Sequence, residues 1–211
     1  MSTIKNKLIF ISFLVSIVFI STTEVKSGSY VYGGPKLFYY DVTQEDLNDT
    51  ATELVNLGFS TARVEANTAG VGFDVGFGGS YSDNVDVEVG FVSMGEFELK
   101  ATLTGPTETV TATSNAYSFP AGLKYKFGDS DANLYVKGGF HYWKQLSDIA
   151  TSQGTVSMWG TGFDPMYGIG GQLGNMIVHY EHYSFSGVGT GAGIAGDGGI
   201  SSIGLTWISE F

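Results

Sequence analysis

The chain has no cysteine among its 211 residues. That excludes a disulfide framework and any thiolate metal site. Proline is scarce, at 4 residues, while glycine is abundant at 31 and shows no collagen-like period. Basic side chains are few: 10 Lys and Arg stand against 21 Asp and Glu, and the only arginine is Arg63. Such an acidic balance excludes nucleic acid as the expected partner. Beyond the first twenty residues no segment is apolar enough for a transmembrane helix. If the chain crosses a membrane after that point, it must do so as a closed β-barrel, because an open sheet edge leaves backbone groups unsatisfied in lipid.

What is present begins with a leader. Lys5 and Lys7 precede the apolar run "LIFISFLVSIVFI", Leu8 to Ile20, followed by "STTEVKSGS". A charged start, a short apolar block and a small-residue exit read as a secretory signal peptide. Val25 and Ser27 suit cleavage before Gly28. Residues 1–27 are therefore expected to be a signal peptide and 28–211 one exported domain. Removing Lys5, Lys7, Lys26 and Glu24 takes the formal charge from −11 to −13. An exported chain without disulfides must be held by its own packing and hydrogen bonds.

The stretch "DVEVGFVSMGEFELK" places Asp86, Glu88, Glu96 and Glu98 at even positions. Val87, Val89, Phe91 and Phe97 occupy odd ones. Alternation of this kind is a strand with one apolar and one charged face. Similar segments recur near Tyr30–Tyr40, Ala69–Tyr81, Val85–Lys100, Thr113–Phe127, Asn133–Leu146, Met158–Gln172, Asn175–Phe185 and Gly199–Phe211. "SDN", "GDSDA" and "LGN" read as tight turns. Between them lie longer connections near Asp41–Thr68, Ala101–Ala112, Ser147–Ser157 and Ser186–Gly198. Short turns on one rim and long loops on the other are the habit of outer-membrane barrels. In the first loop, Thr43 as N-cap and Gly58 as C-cap bracket a helix with Leu47, Ala51, Leu54 and Val55 on one face.

Alternation alone does not say which face is wet. The last strand stops on Phe211, where a soluble chain would fray and a barrel would seat an interfacial aromatic. The polar faces are full of glycine, which covers nothing in water but makes room inside a narrow barrel. Those faces also carry both signs of charge, including Lys36, Asp74, Glu88, Lys124, Lys126, Lys137 and Glu181, which could pair in a lumen. The fold expected is an all-β, eight-stranded antiparallel transmembrane barrel. All four acids of the quoted stretch are expected inside, with Val87, Val89, Phe91 and Phe97 toward lipid.

"YVYGGPKLFYY", "VTQEDLNDTATELVNLGF", "VGFDVGFGGSYSDNVDVEVGFVSMGEF", "LYVKGGFHYW", "FDPMYGIGGQLG", "VHYEHYSFSG" and "SIGLTWISEF" follow one another in an order and spacing that resemble the OmpA-like outer-membrane barrel family. The resemblance implies an interior charge cluster at Glu88, Lys124 and Glu181. The arginine that completes it in some members has no counterpart, since Arg63 lies in the first loop. It also implies a C-terminal strand, with Trp207 and Phe211, read by the barrel-assembly machinery, and contact with lipopolysaccharide in the outer membrane of a Gram-negative cell envelope. The peptidoglycan-binding domain of larger relatives is expected to be absent, because the chain ends at Phe211.

Three further motifs carry candidate chemistry. "HYEH" offers His179 and Glu181 inward, with His141 as a third donor; polar lumen residues are the expectation, and no metal or cofactor. His182 and Ser184 on the outward face resemble the active site of lipid A deacylase barrels, with Asp197 as the acid. "GAGIAG", Gly191 to Gly196, has no helix after it to make a phosphate site. The function expected is a non-enzymatic surface protein with a closed polar lumen, contacting ligands through loop 41–68. The alternatives are the lipid A-modifying hydrolase and a narrow low-conductance channel.

Overall fold

The computed structural model describes residues 28–56, 60–104, 108–128, 132–186 and 198–211. Residues 1–27, Gly58, most of the "GDSDA" turn, "GAGIAG" and Asp197 lie outside them. The order is β1 (Ser29–Tyr40), α1 (Gln44–Asn56), β2 (Thr61–Asn67), β3 (Ala69–Ser82), β4 (Val85–Thr104), β5 (Glu108–Gly128), β6 (Ala132–Thr151), β7 (Gly154–Leu173), β8 (Met176–Phe185) and β9 (Gly198–Glu210).

Each strand pairs antiparallel with its neighbours, and the pairings β4–β5 and β9–β1 close the ring. β2 and β3 both pair with β4 and are parted only at Thr68, so eight strands make the barrel and β2 prolongs one of them. Among the described residues the eight strands are paired on both sides around the ring, the condition for strands in lipid, while β2 pairs only with β4.

Along the lower part of the barrel the outward parity is mostly greasy. Val71 is 71% exposed and Phe77 60% exposed. On β5 the outward row runs from Tyr117 to Phe127. Ten residue steps at about 3.3 Å, tilted about 40°, give a band about 25 Å tall, the thickness a lipid-facing belt needs. Phe91 joins that surface, its ring 5.3 Å from Phe119 and 5.9 Å from Phe73.

One expectation about faces fails midway along β4. Gly95 adopts φ +80°, and β4 carries one residue more than β5 between the pairs Ser93–Tyr117 and Glu96–Asn115. This is a β-bulge, and it reverses the parity beyond it. A Cβ at position 95 would come 2.6 Å from the Val71 carbonyl oxygen, so glycine is required. Val92 and Met94 point inward before the bulge and Phe97 after it, while Glu96 and Glu98 are exposed. Only Asp86 and Glu88 of the four acids enter the lumen.

The two middle loops are also shorter than expected. β4 to β7 run 20 or 21 residues each, and their hairpins absorb most of 101–112 and 147–157. Alternating threonines such as Thr109, Thr111 and Thr113 keep the chain extended, because β-branched side chains suit a pleated surface. β1, β8 and β9 run only 10 to 13 residues. With β2, the long strands form a wall above the apolar belt.

α1 packs on this wall. Thr43 caps it: Asp46 Oδ2 accepts from the Thr43 backbone N–H and hydroxyl, both at 2.7 Å, and the Asp46 N–H donates back to Thr43 Oγ1 at 3.2 Å. This is a reciprocal capping box. Leu47, Ala51 and Leu54 pack against Val64, Ala101 and Leu103. Val55, placed on that face by helical spacing, is 42% exposed.

Candidate functional site: a layered lumen

Parity puts a side chain on the inner face; cross-strand register sets its height. Together they sort the barrel interior into three layers.

The middle layer is ionic. Lys36 on β1 pairs with Asp74 on β3 at 3.1 Å and with Glu181 on β8. Lys137 on β6 pairs with Glu181 at 3.1 Å and with Glu88 on β4 at 2.9 Å. Lys124 on β5 pairs with Glu88 at 2.8 Å and Asp86 at 3.4 Å, and Lys126 reaches Asp86 at 2.8 Å. The sequence Asp74–Lys36–Glu181–Lys137–Glu88–Lys124–Asp86–Lys126 is an unbroken alternation of four acids and four lysines. Its net charge is zero. Tyr30 donates to Glu88 at 2.6 Å and accepts from Lys124 at 2.8 Å. The Tyr183 hydroxyl donates to Glu181 at 2.5 Å. Burial of this many charges is tolerable only because each of the eight has an opposite charge beside it.

All seven lumen residues singled out from sequence meet in this chain. Asp86, also expected inside, joins them and bridges two lysines. Tyr30 and Tyr183 carried no signal, since a tyrosine on an inner face reads as filler.

Above the ions, toward the long wall, the lumen is apolar. Phe38, Val92, Met94, Ala116, Trp143, Met166, Phe185 and Ile200 pack together, and Trp143 is fully buried. Gly162 faces the Trp143 indole; a Cβ there would lie 2.5 Å from Cε2. The Trp143 indole N–H donates to Asp164 at 2.6 Å, and Asp164 also accepts from the backbone N–H of Ser186 at 3.0 Å and from its hydroxyl. A wholly polar interior was expected, so this layer is a correction. Below the ions, Tyr30, Tyr32, Tyr135, Ile177 and Ile208 fill the other end.

The histidines separate. His179 lies 3.9 Å from both Asp74 and Glu181, inside the barrel. His141 sits higher, between Ser118 Oγ at 2.9 Å and the Ser184 carbonyl at 2.8 Å. Among the described residues no three His, Asp or Glu side chains are grouped to hold a metal ion. His182 points outward and bonds Ser201 on β9 at 3.1 Å, not Ser184. Glu210 is exposed at the end of β9. Trp207 lies on the outward row and Phe211 is 79% exposed, with its N–H bonded to the Ser29 carbonyl at 3.1 Å.

Solved structures share this architecture. Ail, the attachment invasion locus protein of Yersinia pestis, aligns with a TM-score of 0.50 at 13% identity, covering 87% of this chain and 99% of that one. The outer membrane protein OprG from Pseudomonas aeruginosa aligns with 0.46 at 14% identity over 88% and 98%. The N-terminal β-barrel domain of Pseudomonas aeruginosa OprF aligns with 0.40 at 12% identity over 87% and 98%. No protein-family model and no curated sequence matches the chain. At 13% identity the likeness to Ail shows the fold alone, a closed antiparallel β-barrel.

Proposed function

We propose that this protein is an integral outer-membrane barrel whose lumen is closed and whose work is done at the cell surface. In this reading residues 1–27 direct export and are cleaved. Trp207 and Phe211 present the last strand to the barrel-assembly machinery, and the outward belt meets acyl chains and lipopolysaccharide. The wall of β2 and β4 to β7, with α1 and the segment 41–68, carries the contact surface for an external ligand.

The single observation that supports a closed lumen is the layering itself. A permeating ion would have to leave water, pass Trp143, Met94 and Phe185, and then separate a neutral chain of paired charges. Each step carries a desolvation cost. The same observation counts against the narrow channel. The hydrolase built on His182 and Ser184 loses its central contact, because His182 bonds elsewhere.

Two measurements test the proposal. An epitope inserted at Asp49 in α1 is expected to be reached by antibody on intact cells, and the unboiled protein to migrate faster than the boiled form on a gel after outer-membrane fractionation. Failure of antibody to reach the epitope would overturn surface display. In planar bilayers the purified protein is expected to give no steady conductance, and a stable ohmic current would overturn the closed lumen.

A further inference from the structure

Among the described residues, Lys144 is the only lysine or arginine on the outward face at the level of the apolar belt. Lys36, Lys124, Lys126 and Lys137 belong to the lumen chain, and Arg63 pairs with Glu65 at 2.6 Å on the wall. Lys100 lies opposite Glu65 and Thr111, six residues up the ladder from Tyr117, and so stands about 15 Å above the belt. Lys144 is exposed on the outward row of β6. It lies opposite Tyr117 on β5 and Thr161 on β7, at the upper end of the belt. It forms no ion pair among the described residues. Glu96 and Asp148, the carboxylates of that face, stand farther up, opposite Asn115 and Thr113.

Below Lys144 the belt is hollow. Phe91 and Phe119, with ring centres 5.3 Å apart, form one bank of a groove. Phe140 and Phe163, stacked at 5.3 Å with an interplanar angle of 8°, form the other. Ala121 and Gly138 make the floor, and a Cβ at position 138 would meet nothing within 4 Å. The groove measures about 690 Å³. Lys144 is six residues above Gly138 on the same row, about 15 Å. That is close to the hydrocarbon depth of one leaflet, half of about 30 Å. Above Lys144, Trp159 lies opposite Leu146 and is 72% exposed. It stands one outward position higher than Thr161, about 5 Å.

We propose that this strip of β5 to β7 holds one phosphorylated glycolipid of the outer leaflet, with an acyl chain in the groove, a phosphate on Lys144 and a sugar ring against Trp159. The inference rests on the reading of the chain as an outer-membrane barrel with its long wall outside, and it turns lipopolysaccharide from a surrounding solvent into a ligand with a fixed seat. An acyl chain lying between the two aromatic banks gains dispersion contacts that an empty groove forfeits. A lysine facing a phosphate at the edge of the hydrocarbon makes a charge-assisted hydrogen bond where screening by water is weak. The indole offers an open apolar face to the C–H side of a sugar. Groove, cation and indole follow one another upward in the order in which acyl chain, phosphate and sugar leave the membrane. A phospholipid supplies the first two and has nothing for Trp159. Lys and Trp acting only as interfacial anchors would sit at this height, but they would need no hollow beneath them.

The test uses the full mature protein folded in detergent micelles. Heat-modifiable migration of each variant keeps loss of the barrel apart from loss of the site. Native mass spectrometry with added bisphosphorylated lipid A should show one lipid A retained on the wild-type barrel. Lys144→Gln should weaken retention about tenfold, the worth of one hydrogen bond to a charged group, and Lys144→Arg should restore it. Gly138→Leu, which fills the groove from open space, should weaken it several-fold, and so should Trp159→Ala. Phosphatidylglycerol and dephosphorylated lipid A should each be retained less than intact lipid A. A folded wild-type barrel that keeps no lipid A overturns the proposal, as does wild-type retention in Lys144→Gln or in Gly138→Leu. Equal retention of phosphatidylglycerol overturns it too, because the seat would then be one for any anionic lipid.

Discussion

Lys137 Nζ lies 2.9 Å from Glu88 Oε2, and this contact joins the two halves of the lumen charge chain. On one side stand Asp74, Lys36 and Glu181; on the other stand Lys124, Asp86 and Lys126. Replacing Lys137 by Met removes one positive charge and leaves Glu88 and Glu181 each short of a partner. Breaking a buried pair in this way costs about 3–5 kcal/mol. The folded-to-unfolded transition in urea with lipid vesicles should move accordingly. Lys137→Met combined with Glu181→Gln should recover part of the loss, since it restores neutrality.

The bulge at Gly95 gives a second prediction. Its φ of +80° belongs to the left-handed region, and Val71 blocks a side chain there. Gly95→Ala should destabilise the barrel by about 1–3 kcal/mol, the range for a strained backbone position. Gly76→Ala is an unsuitable control because Tyr32 blocks that site, whereas Gly138 has nothing within 4 Å, so Gly138→Ala should be close to neutral in the same unfolding assay.

Tryptophan fluorescence separates inside from outside. Trp143 is fully buried in the upper lumen, while Trp207 is 48% exposed on the outward row. In single-tryptophan variants, lipids brominated on their acyl chains should quench Trp207 strongly and Trp143 far less. Equal quenching would mean that the faces are assigned the wrong way round.

The cap of α1 responds to pH. The hydroxyl and backbone N–H of Thr43 hold the Asp46 carboxyl below its ordinary value of 3.8. A depressed carboxylate stabilises the folded cap at neutral pH, and the contribution disappears as pH falls through the lowered value. The carbon chemical shift of the Asp46 carboxyl should titrate below 3.8 in the native protein and return toward it in Thr43→Ala. A midpoint unchanged by the substitution would remove the capping explanation.

Much of this architecture could be read from alternation. Val71, Phe73, Val75 and Phe77 against Asp74 already divide β3 into two faces, and the same parity put Lys137 and Trp143 together on the inner face of β6. Parity says nothing about height, however. It could not reveal that Trp143 lies in an apolar layer and Lys137 in an ionic one, because height depends on strand register. A single inserted residue at Gly95 was enough to misplace Phe97, Glu96 and Glu98, and glycine in a glycine-rich strand gives no warning. The hairpins near 104–108 and 151–154 were hidden because, above the lipid, polar residues occupy the outer face and the greasy alternation stops. The contact between His182 and Ser201 depends on which residue of β9 lies opposite β8, a pairing that local pattern does not encode.

The unequal strand lengths make the protein lopsided to anything arriving from outside. Four strands of 20 or 21 residues stand on one flank, and strands of 10 to 13 residues on the other. A visitor to the mouth is screened from the tall flank and meets open ground on the low one. The low flank is also where β8 and β9 bring Tyr180, His182 and Ser201 to the outward face. The side of the molecule that offers no shelter to the leaflet is thus the side on which its polar chemistry stands.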